Sequence, residues 1–387
     1  MPNIVKAAVL TRPGHIEIQE FPYPRLDRGS LLLRMEMCGI CGTDKHTYQG
    51  HSRQYAGTEA ETITPFPIIQ GHENVGIVEE INGEFRDFDH QLLKPGDRIT
   101  MCPDYVCGHC WYCRNTFGYP WCENVRGYGN AFTSAEPPHL FGGYAEYMYL
   151  LPGTFVYKVP AGLPVEVAVL AELFTVSYAV EAAKEVYALS GFGFHTGCTV
   201  VVQGVGPMGL CFLIRARMMG AGEIIAIDRS AYRLEMARQF GADHTLSTLE
   251  TTPEERIAFV RDRTHGRGAD VALECAGVPA AVVEGLDLLR KGGTYIEAGN
   301  FTDTGEVSFN PHRLLCAKNV RLIGVTNHPY TGYGPSMRLM GRFAGAFPFE
   351  RVVTHRYPVD RAEEALLKSM QPDSMKVVIA AGSFLPA

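Results

Sequence analysis

The amino-acid sequence predicts an α/β protein that combines a β-rich domain with a doubly wound parallel sheet. Residues 1 to about 100 are short runs of alternating polar and apolar residues separated by glycine and proline, as is typical of strands. From residue 197 the chain alternates strand and helix patterns, and this order is typical of a parallel sheet covered by helices. For a length of 387 residues we expect two domains.

The composition excludes several classes of function. A net charge of −7 and a pI near 6.0 argue against a nucleic-acid-binding protein, which requires a positively charged face. No apolar run approaches the ~20 residues that a membrane helix needs. The first ten residues lack the basic and apolar regions of a signal peptide. We therefore expect a cytoplasmic protein that binds neither nucleic acid nor membranes.

The β-rich part begins with several predicted strands, and the turn after the third carries reactive side chains. The predicted strands are 6–10, 15–19, 31–37, 74–81 and 94–99. Two glycines between Cys38 and His46 end the third strand and allow a tight turn. Here Cys41 could ligate a metal that holds an alcohol, Thr43 could accept the first proton, and His46 could pass it on. The alternative is a buried cysteine beside a capping aspartate and a surface histidine.

A second pair of candidate site residues lies at the start of the strand 74–81. His72 and Glu73 follow Gly71 directly and place an imidazole and a carboxylate at a strand end. Site residues are often found where a strand meets a loop. Alone, however, this short pattern is weak support for a site.

Four closely spaced cysteines form the strongest metal-binding pattern in the chain: Cys107, Cys110, Cys113 and Cys122. Four thiolates match a closed tetrahedral zinc site, which leaves no ligand position for chemistry. An iron–sulfur motif usually places its fourth cysteine about three residues after the third, followed by proline. Disulfides between such close cysteines would be strained, and they are rare in the cytosol. We expect a structural zinc that stabilises a lobe at residues 102–125.

The next segments are a loop, two strands and a helix. Residues 123–140 are predicted to form a long loop of the kind that often binds ligands, and residues 142–147 and 156–160 are predicted strands. A helical pattern follows over 165–189. Within it, Glu172 lies between Ala171 and Leu173. A carboxylate among apolar residues usually has a cation as its partner, although a charge on the helix surface is the simpler explanation.

The alternating region that follows contains both strands and helices. Its predicted elements are strands 199–203, 223–227, 271–275 and 293–297, and helices 207–219, 230–240, 279–290 and one that begins at Pro253. Thr252 and Glu255 match a capping box at the start of the Pro253 helix. A βαβα order of this kind predicts a doubly wound sheet.

A glycine-rich motif connects the first strand of this region to its helix: Gly204, Gly206, Pro207, Met208 and Gly209. The first two glycines let the backbone turn and approach a pyrophosphate, and Gly209 lets the helix pack closely on the strand. The helix N-terminus then presents unpaired N–H groups to the phosphates. The strand–motif–helix context makes this a strong prediction of a dinucleotide site.

Asp228 indicates which dinucleotide is bound. It ends the next strand, 19 residues after Gly209, where an acidic side chain meets the adenosine ribose hydroxyls. A carboxylate at this place accepts a hydrogen bond from a 2′-hydroxyl and repels a 2′-phosphate. NAD is therefore favoured over NADP, although Arg229 and Arg233 are compatible with some binding of NADP.

The last part of the chain is predicted to return to the first domain. It contains predicted strands at 321–326, 351–356 and 375–380 and an amphipathic helix at 359–370. The first domain would then be discontinuous, formed by residues 1–165 and 326–387, with a nucleotide-binding domain at 166–325 inserted.

Together these motifs resemble the zinc-dependent medium-chain dehydrogenase/reductase family, over nearly the whole chain from Val5 to Ile379. The resemblance implies a GroES-like catalytic domain, a Rossmann domain, and a site in the cleft between them. It implies two zinc ions per chain and NAD as cofactor. The site residues it implies are Cys41, His72 and Glu172 as catalytic-zinc ligands, Glu73 behind that metal, Thr43 and His46 as proton relay, the four cysteines of the lobe as structural-zinc ligands, and Lys376 near the cofactor pyrophosphate.

Glu172 distinguishes branches of this family. Liver-type alcohol dehydrogenases have cysteine there, whereas sorbitol-dehydrogenase-like members have glutamate, so the chain resembles the polyol and threonine dehydrogenase branch. Glu172 would bind the metal either directly or through water. We expect oxidation of a secondary alcohol or polyol by a homo-oligomer, a dimer or tetramer. The alternatives are a zinc-free quinone or enone reductase of the same fold and a non-catalytic nucleotide-binding protein.

Overall fold

The computed structural model describes residues 3–59, 61–115, 121–184 and 193–385. In chain order the strands of these residues are β1 (Ile4–Arg12), β2 (His15–Pro22), β3 (Leu31–Gly39), β4 (Arg53–Gln54), β5 (Thr62–Ile63), β6 (Ile68–Ile69), β7 (Glu73–Ile81), β8 (Arg98–Met101), β9 (Asp104–Tyr105), β10 (Arg126–Gly127), β11 (Tyr147–Leu150), β12 (Val156–Lys158), β13 (Thr199–Gln203), β14 (Glu223–Asp228), β15 (His244–Ser247), β16 (Ala269–Glu274), β17 (Leu289–Glu297), β18 (Arg321–Gly324), β19 (Val353–Tyr357) and β20 (Lys376–Ala380).

The same residues contain α-helices and several short 3₁₀ turns. The helices are α1 (Gly42–Tyr48), α2 (Trp111–Asn115), α3 (Val165–Ala168), α4 (Ala171–Val176), α5 (Pro207–Met218), α6 (Ala231–Gln239), α7 (Pro253–Arg263), α8 (Pro279–Leu288), α9 (Pro311–Leu314), α10 (Tyr333–Arg342) and α11 (Ala362–Ser369). No helix among the described residues is both long and apolar enough to span a bilayer.

The chain divides into two compact units. Unit 1 comprises Met1–Thr175 and Pro329–Ala387, and unit 2 comprises Val176–His328. The sequence patterns placed the two boundaries at 165/166 and 325/326. The first boundary lies later in the structure because α3 and most of α4 belong to unit 1.

Strand β3 is the centre of the main sheet of unit 1. One of its edges pairs with β7, and the other is shared by β11, which pairs with Leu31–Arg34, and β20, which pairs with Met37–Gly39. The order β12-β8-β7-β3-β20-β19 completes the path through this sheet. Eight of the nine residues of β3 are buried, because apolar side chains cover both of its faces. The β-rich first domain is thus confirmed.

The predicted strand at 142–147 is wrong in position, since β11 begins only at Tyr147. Residues 142–144 instead run beside residues 69–71: Gly143 N–H donates to Gly71 O at 2.9 Å and Tyr144 N–H donates to Gln70 O at 3.0 Å. A Cβ atom on Gly142 would collide with the carbonyls of Ile69 and Gln70, and one on Gly143 would collide with the side chains of Asn74 and Cys38. The two glycines therefore serve close backbone approach rather than a regular strand.

Unit 2 contains a six-stranded sheet in which every pair is parallel, with the order β15-β14-β13-β16-β17-β18. The order reverses beside β13, as in a doubly wound fold that binds a dinucleotide. The α/β fold class is thereby confirmed. The strand predicted at 321–326 is β18, which pairs with β17 in this sheet, and the chain returns to unit 1 after it.

The predicted helices are mostly confirmed, with one exception. Thr252 and Glu255 form the expected capping box at the start of α7, with N–H···O distances of 3.2 and 2.8 Å. The helix predicted over 165–189 is instead divided into α3, α4 and a 3₁₀ turn at Ser177–Ala183. Thr175 Oγ1 donates to Ala171 O at 2.6 Å, a bond that often bends a helix. Residues 185–189 lie outside the described part of the chain.

Candidate metal centre and dinucleotide loop

The turn after β3 brings Cys41 and Asp44 together. The strand ends at Gly39, and Cys41 becomes the N-cap of α1. Asp44 accepts the N–H of Cys41 at 2.8 Å through Oδ2, so this carboxylate caps the helix from within its first turn. The capping aspartate of the simpler interpretation is therefore present, yet Asp44 is 0% exposed and its second oxygen faces inward.

His72 lies immediately before β7 and beside this turn. Its Nδ1 is 3.7 Å from Asp44 Oδ1, and the Cys41 side chain forms a hydrogen bond with the ring. Burial alone would lower the pKa of His72, but the negative charges of Cys41 and Asp44 outweigh burial and hold it well above its usual value. The negative charges around His72 therefore favour a positive charge at or beside its imidazole ring.

Glu172 on α4 belongs to the same cluster. It is 8% exposed, so it is not a charge on the helix surface. Burial, followed by the negative charge of Glu73, raises the pKa of Glu172 to about 7, whereas His72 acts in the opposite direction. The charges of Cys41 and Glu172 both act on His72, so half-buried Cys41 lies near the two buried residues within unit 1.

Behind these residues lies a buried ion pair. Lys376 Nζ is 2.6 Å from Glu73 Oε1 and 3.1 Å from Ile40 O, and the two charged residues are 2% and 0% exposed. Gly39 lies opposite Glu73 in the sheet, where any Cβ atom would collide with that carboxylate. The structure therefore shows Lys376 as the partner of Glu73, and the predicted contact of Lys376 with a cofactor pyrophosphate stays a prediction.

Two further residues of the turn have the chemistry of a proton relay. Thr43 Oγ1 lies 3.9 Å from Cys41 Sγ, and the ring of His46 lies 6.0 Å from that of His51. Burial, followed by the charges of His51 and Lys45, lowers the pKa of His46. His46 is therefore neutral at neutral pH and can accept a proton.

The four cysteines of the lobe converge as their spacing predicts. The sulfur atoms of Cys107, Cys110, Cys113 and Cys122 lie within 4.8 Å of one another. Each is a free thiol, and backbone N–H groups point at three of the sulfurs over 3.3–3.5 Å. Such N–H groups, first that of His109, lower the pKa of Cys107 to about 6. This geometry fits a tetrahedral ion with four thiolate ligands.

The ligand atoms of Cys41, His72 and Glu172 are more widely spaced than the sulfur atoms of the cysteine lobe. Among the described residues, the lobe is the one set of three or more ligand atoms that all lie within 4.8 Å of one another. Cys41, His72 and Glu172 are therefore more widely spaced. They nevertheless fit a cation, since a thiol, an imidazole and a carboxylate offer three donor types and Glu73 Oε2 behind them has no hydrogen-bond partner among the described residues.

In unit 2 the glycine-rich motif forms the turn between β13 and α5. Gly204 has a φ of +81°, and a Cβ atom there would lie 2.7 Å from Ala276. Gly209 packs directly on the carbonyl of Gly204. Gly206 is the N-cap of α5, with Pro207 as the first helical residue, and the nearest atom to a Cβ on Gly206 is Arg233 Nη1 at 3.4 Å. These features fit the approach of a pyrophosphate to the helix N-terminus.

Asp228 supports this loop from the end of β14. Its Oδ2 accepts the N–H of Val205 at 2.8 Å, and its Oδ1 accepts the N–H of Ser230 at 2.8 Å. The carboxylate therefore holds the loop in place in addition to its predicted contact with ribose. Arg229 follows directly, and the guanidinium of Arg233 lies at the edge of the loop.

Tyr144 is a site residue that sequence reasoning missed. Its hydroxyl donates to Asp44 Oδ2 at 2.9 Å, and both residues are fully buried. The sequence showed only an aromatic residue in an alternating stretch, which signals packing rather than a polar contact. Asp44 itself was noticed as part of the turn, but its position beside His72 depends on long-range folding.

Comparisons with known protein families agree with the motifs. Residues 27–161 match the family model described as an alcohol dehydrogenase GroES-like domain. Residues 207–336 match the model described as a zinc-binding dehydrogenase. The first match covers most of the β-rich part with the cysteine lobe, and the second begins at α5.

Individual relatives match over almost the whole chain. A 5-exo-hydroxycamphor dehydrogenase of Pseudomonas putida is 34% identical, covering 93% of this chain and 94% of the relative. An erythritol/L-threitol dehydrogenase of Mycolicibacterium smegmatis is 30% identical, covering 100% and 99%. An alcohol dehydrogenase structure from Thermotoga maritima is 34% identical with a TM-score of 0.88, covering 97% and 99%. The chain belongs to the zinc-dependent medium-chain dehydrogenase/reductase family, as its motifs predicted.

Proposed function

We propose that this chain oxidises a secondary alcohol or polyol to the ketone, with NAD as hydride acceptor and two zinc ions per chain. The observation that carries the proposal is the cluster of half-buried Cys41 with buried His72 and Glu172, which combines sulfur, nitrogen and oxygen donors. The names of the relatives support an alcohol as substrate, since they act on a cyclic secondary alcohol and on polyols.

The three side chains of the cluster would hold the catalytic zinc. Three protein ligands leave one position open on a tetrahedral ion, as catalytic sites require. Zinc bound there would supply a Lewis acid that lowers the pKa of the substrate alcohol. Glu73, fixed by Lys376, adds negative charge behind the ligands, and Asp44 adds it beside His72.

Thr43 and His46 would remove the alcohol proton. A hydroxyl can accept a proton while donating its own, so Thr43 beside Cys41 can connect the substrate oxygen to a base. His46 is that base, because its lowered pKa keeps it neutral at neutral pH.

Unit 2 would bind the dinucleotide. NAD supplies the hydride acceptor when bound. The loop Gly204–Gly209 and the first turn of α5 would hold its pyrophosphate, and Asp228 would accept the ribose hydroxyls. Arg229 and Arg233 are the cations of unit 2 that we assign to this cofactor, with NADP as the weaker ligand.

The proposal also includes the structural zinc, the oligomeric state and the cellular location. Cys107, Cys110, Cys113 and Cys122 would hold the structural zinc. A cytoplasmic homo-oligomer, dimer or tetramer, with a small-molecule alcohol as its substrate, completes the proposal.

A panel of alcohols tests the proposed function. NADH absorbance would be followed with linear polyols, cyclic secondary alcohols and threonine, before and after incubation with a chelator. We expect NADH formation with at least one alcohol, lost on chelation and restored by zinc. A zinc-free quinone or enone reductase would instead reduce an enone with undiminished rate after chelation. No turnover with any alcohol would support a non-catalytic nucleotide-binding protein.

A further inference from the structure

A fully buried carboxylate connects Tyr144 to the candidate ligand His72. Asp44 Oδ2 accepts two hydrogen bonds, from the hydroxyl of Tyr144 at 2.9 Å and from the N–H of Cys41 at 2.8 Å. Asp44 Oδ1 faces His72 Nδ1 at 3.7 Å. This distance is longer than a hydrogen bond, and neither of the two atoms has a hydrogen-bond partner among the described residues.

The position of Tyr144 is fixed by the backbone next to His72. Its N–H donates to Gln70 O at 3.0 Å, and its ring is so close to Gly71 that a Cβ atom there would lie 2.6 Å from Cδ1. Tyr144 thus packs against the residue before His72 and at the same time holds the carboxylate beside the His72 ring. Removing the Tyr144 hydroxyl would therefore take a hydrogen-bond donor from the Asp44 carboxylate.

We propose that Tyr144 is a positioning residue of the metal site: by donating to Asp44 Oδ2 it keeps Oδ1 directed at Nδ1–H of His72. This inference rests on the proposed function, in which His72 ligates zinc. A ligating histidine commonly donates its second ring N–H to a carboxylate, and that bond fixes both the tautomer and the ring orientation. Here Nδ1 faces Asp44, so Nε2 is the nitrogen left for the metal.

The hydroxyl also has an energetic role that follows from burial. A buried carboxylate needs hydrogen-bond donors in place of water, and Asp44 has two at Oδ2. Loss of the Tyr144 donor leaves only the backbone N–H of Cys41 at this oxygen. The carboxylate then turns or takes up water more readily, and its hold on the His72 ring weakens.

Zinc affinity of Tyr144→Phe tests the inference without measuring activity. Zinc retained per chain would be measured at graded concentrations of a competing chelator, and two release steps are expected. The zinc-release step that is missing in Cys41→Ser is assigned to the candidate catalytic site. We expect Tyr144→Phe to weaken that step about tenfold, at the lower end of the 10–100-fold effect of such outer partners. The step of the cysteine lobe should not change.

Tyr149 provides a matched control. It is also fully buried, and its hydroxyl oxygen lies 3.1 Å from Asp27 Oδ2 and 2.9 Å from Ser30 Oγ, away from the cluster. Tyr149→Phe should leave both zinc steps unchanged. As a second variant, Asp44→Asn should weaken the first step at least as much as Tyr144→Phe, since the proposed connection runs through its carboxylate.

Several outcomes would overturn the inference. Equal zinc affinity in Tyr144→Phe and wild type would make Tyr144 a packing residue only, and so would equal weakening in both phenylalanine variants. If Asp44→Asn released its catalytic-site zinc as wild type does, Asp44 would not position His72, and this result would count even if Tyr144→Phe failed to fold. If Cys41→Ser retained both steps, the proposed metal site itself would be wrong, a failure distinct from that of Tyr144.

Discussion

At the scale of single residues, the ion pair between Lys376 and Glu73 is the clearest stability determinant near the site. Both residues are buried, and the charges are 2.6 Å apart. Removing one partner of a buried pair leaves an uncompensated charge, which typically costs about 3–5 kcal/mol. We therefore expect Lys376→Met to lower the free energy of unfolding by about that amount, measured by urea denaturation.

Two variants serve as controls for this prediction. Glu73→Leu combined with Lys376→Met removes both charges and should recover most of the loss, since no unpaired charge remains. Arg361→Met breaks an exposed pair with Glu364 and should have far less effect. A loss in Lys376→Met as small as that in Arg361→Met would show that the buried pair does not stabilise the fold.

Asp228 gives a second prediction at this scale. Asp228→Ala should weaken the binding of both dinucleotides, because the Val205 N–H loses its acceptor. The loss should be larger for NAD, because the ribose hydroxyl also loses its acceptor while repulsion of a 2′-phosphate disappears. We expect the preference for NAD over NADP to fall about tenfold or more. Titration by NADH and NADPH fluorescence measures it, and an equal loss for both would contradict the assignment.

The residue scale also shows why some site residues could be predicted and others could not. Cys41, His72 and Glu172 are ligand-type side chains, but their local patterns are weak, and only the resemblance to the family joins them into one ligand set. The contact of Tyr144 could not, because its partner Asp44 is 100 residues away and only the folded chain brings them together. Lys376 was predicted as a cofactor contact, and its partner in the structure is Glu73.

At the scale of elements, the ends of β16 and β17 bring two carboxyl groups together. Glu274 and Glu297 end neighbouring parallel strands and are directly in register. Burial, followed by the negative charge of Glu297, raises the pKa of Glu274 to about 8. The N–H groups of Ala276 and Gly277 oppose this shift without cancelling it.

The raised pKa predicts how stability depends on pH. An unfolded glutamate has a pKa of about 4.3, so between about pH 4.3 and 8 the folded chain binds the extra proton. The stability due to this proton is complete below about pH 4.3 and is lost as the pH rises through about 8. Glu274→Gln stays neutral at every pH. Its free energy of unfolding relative to wild type should therefore rise with pH, by at most ~1.4 kcal/mol per pH unit.

Urea denaturation at several pH values between 5 and 9 measures this difference. Glu254→Gln changes an exposed glutamate on α7 and should leave the pH profile of wild type unaltered. Parallel profiles for Glu274→Gln and wild type would contradict the account.

Helices and strands could be predicted where one local pattern dominates. α7 follows from its capping box, and α5 follows from the glycine-rich motif with Pro207 as its first residue. The predicted strand at 142–147 is wrong because Gly142 lies close to the backbone of Ile69 and Gly143 lies close to Asn74 and Cys38, which no local pattern reveals. The predicted helix at 165–189 is divided after Ala168 and again after Val176, and beside the second division Thr175 Oγ1 donates to Ala171 O, a bond that often bends a helix.

At the scale of the whole molecule, the chain leaves unit 1 and returns to it. Unit 1 is completed by β20, which pairs with the second half of β3 and carries Lys376 to Glu73. The alternation of strand and helix patterns predicted the inserted parallel sheet. Which distant strands pair could not be predicted, because strand pairing between remote segments leaves no local pattern. The pairing of β18 with β17 is one example.

The central claim is that alcohol oxidation depends on a zinc ion held by Cys41, His72 and Glu172. The most direct measurement is the zinc content per chain of Cys41→Ser and of wild type, with NAD reduction followed on the same samples. The account predicts two zinc ions and alcohol-dependent NADH formation in wild type, and one zinc ion with no NADH formation in Cys41→Ser. Two zinc ions and undiminished turnover in Cys41→Ser would contradict it.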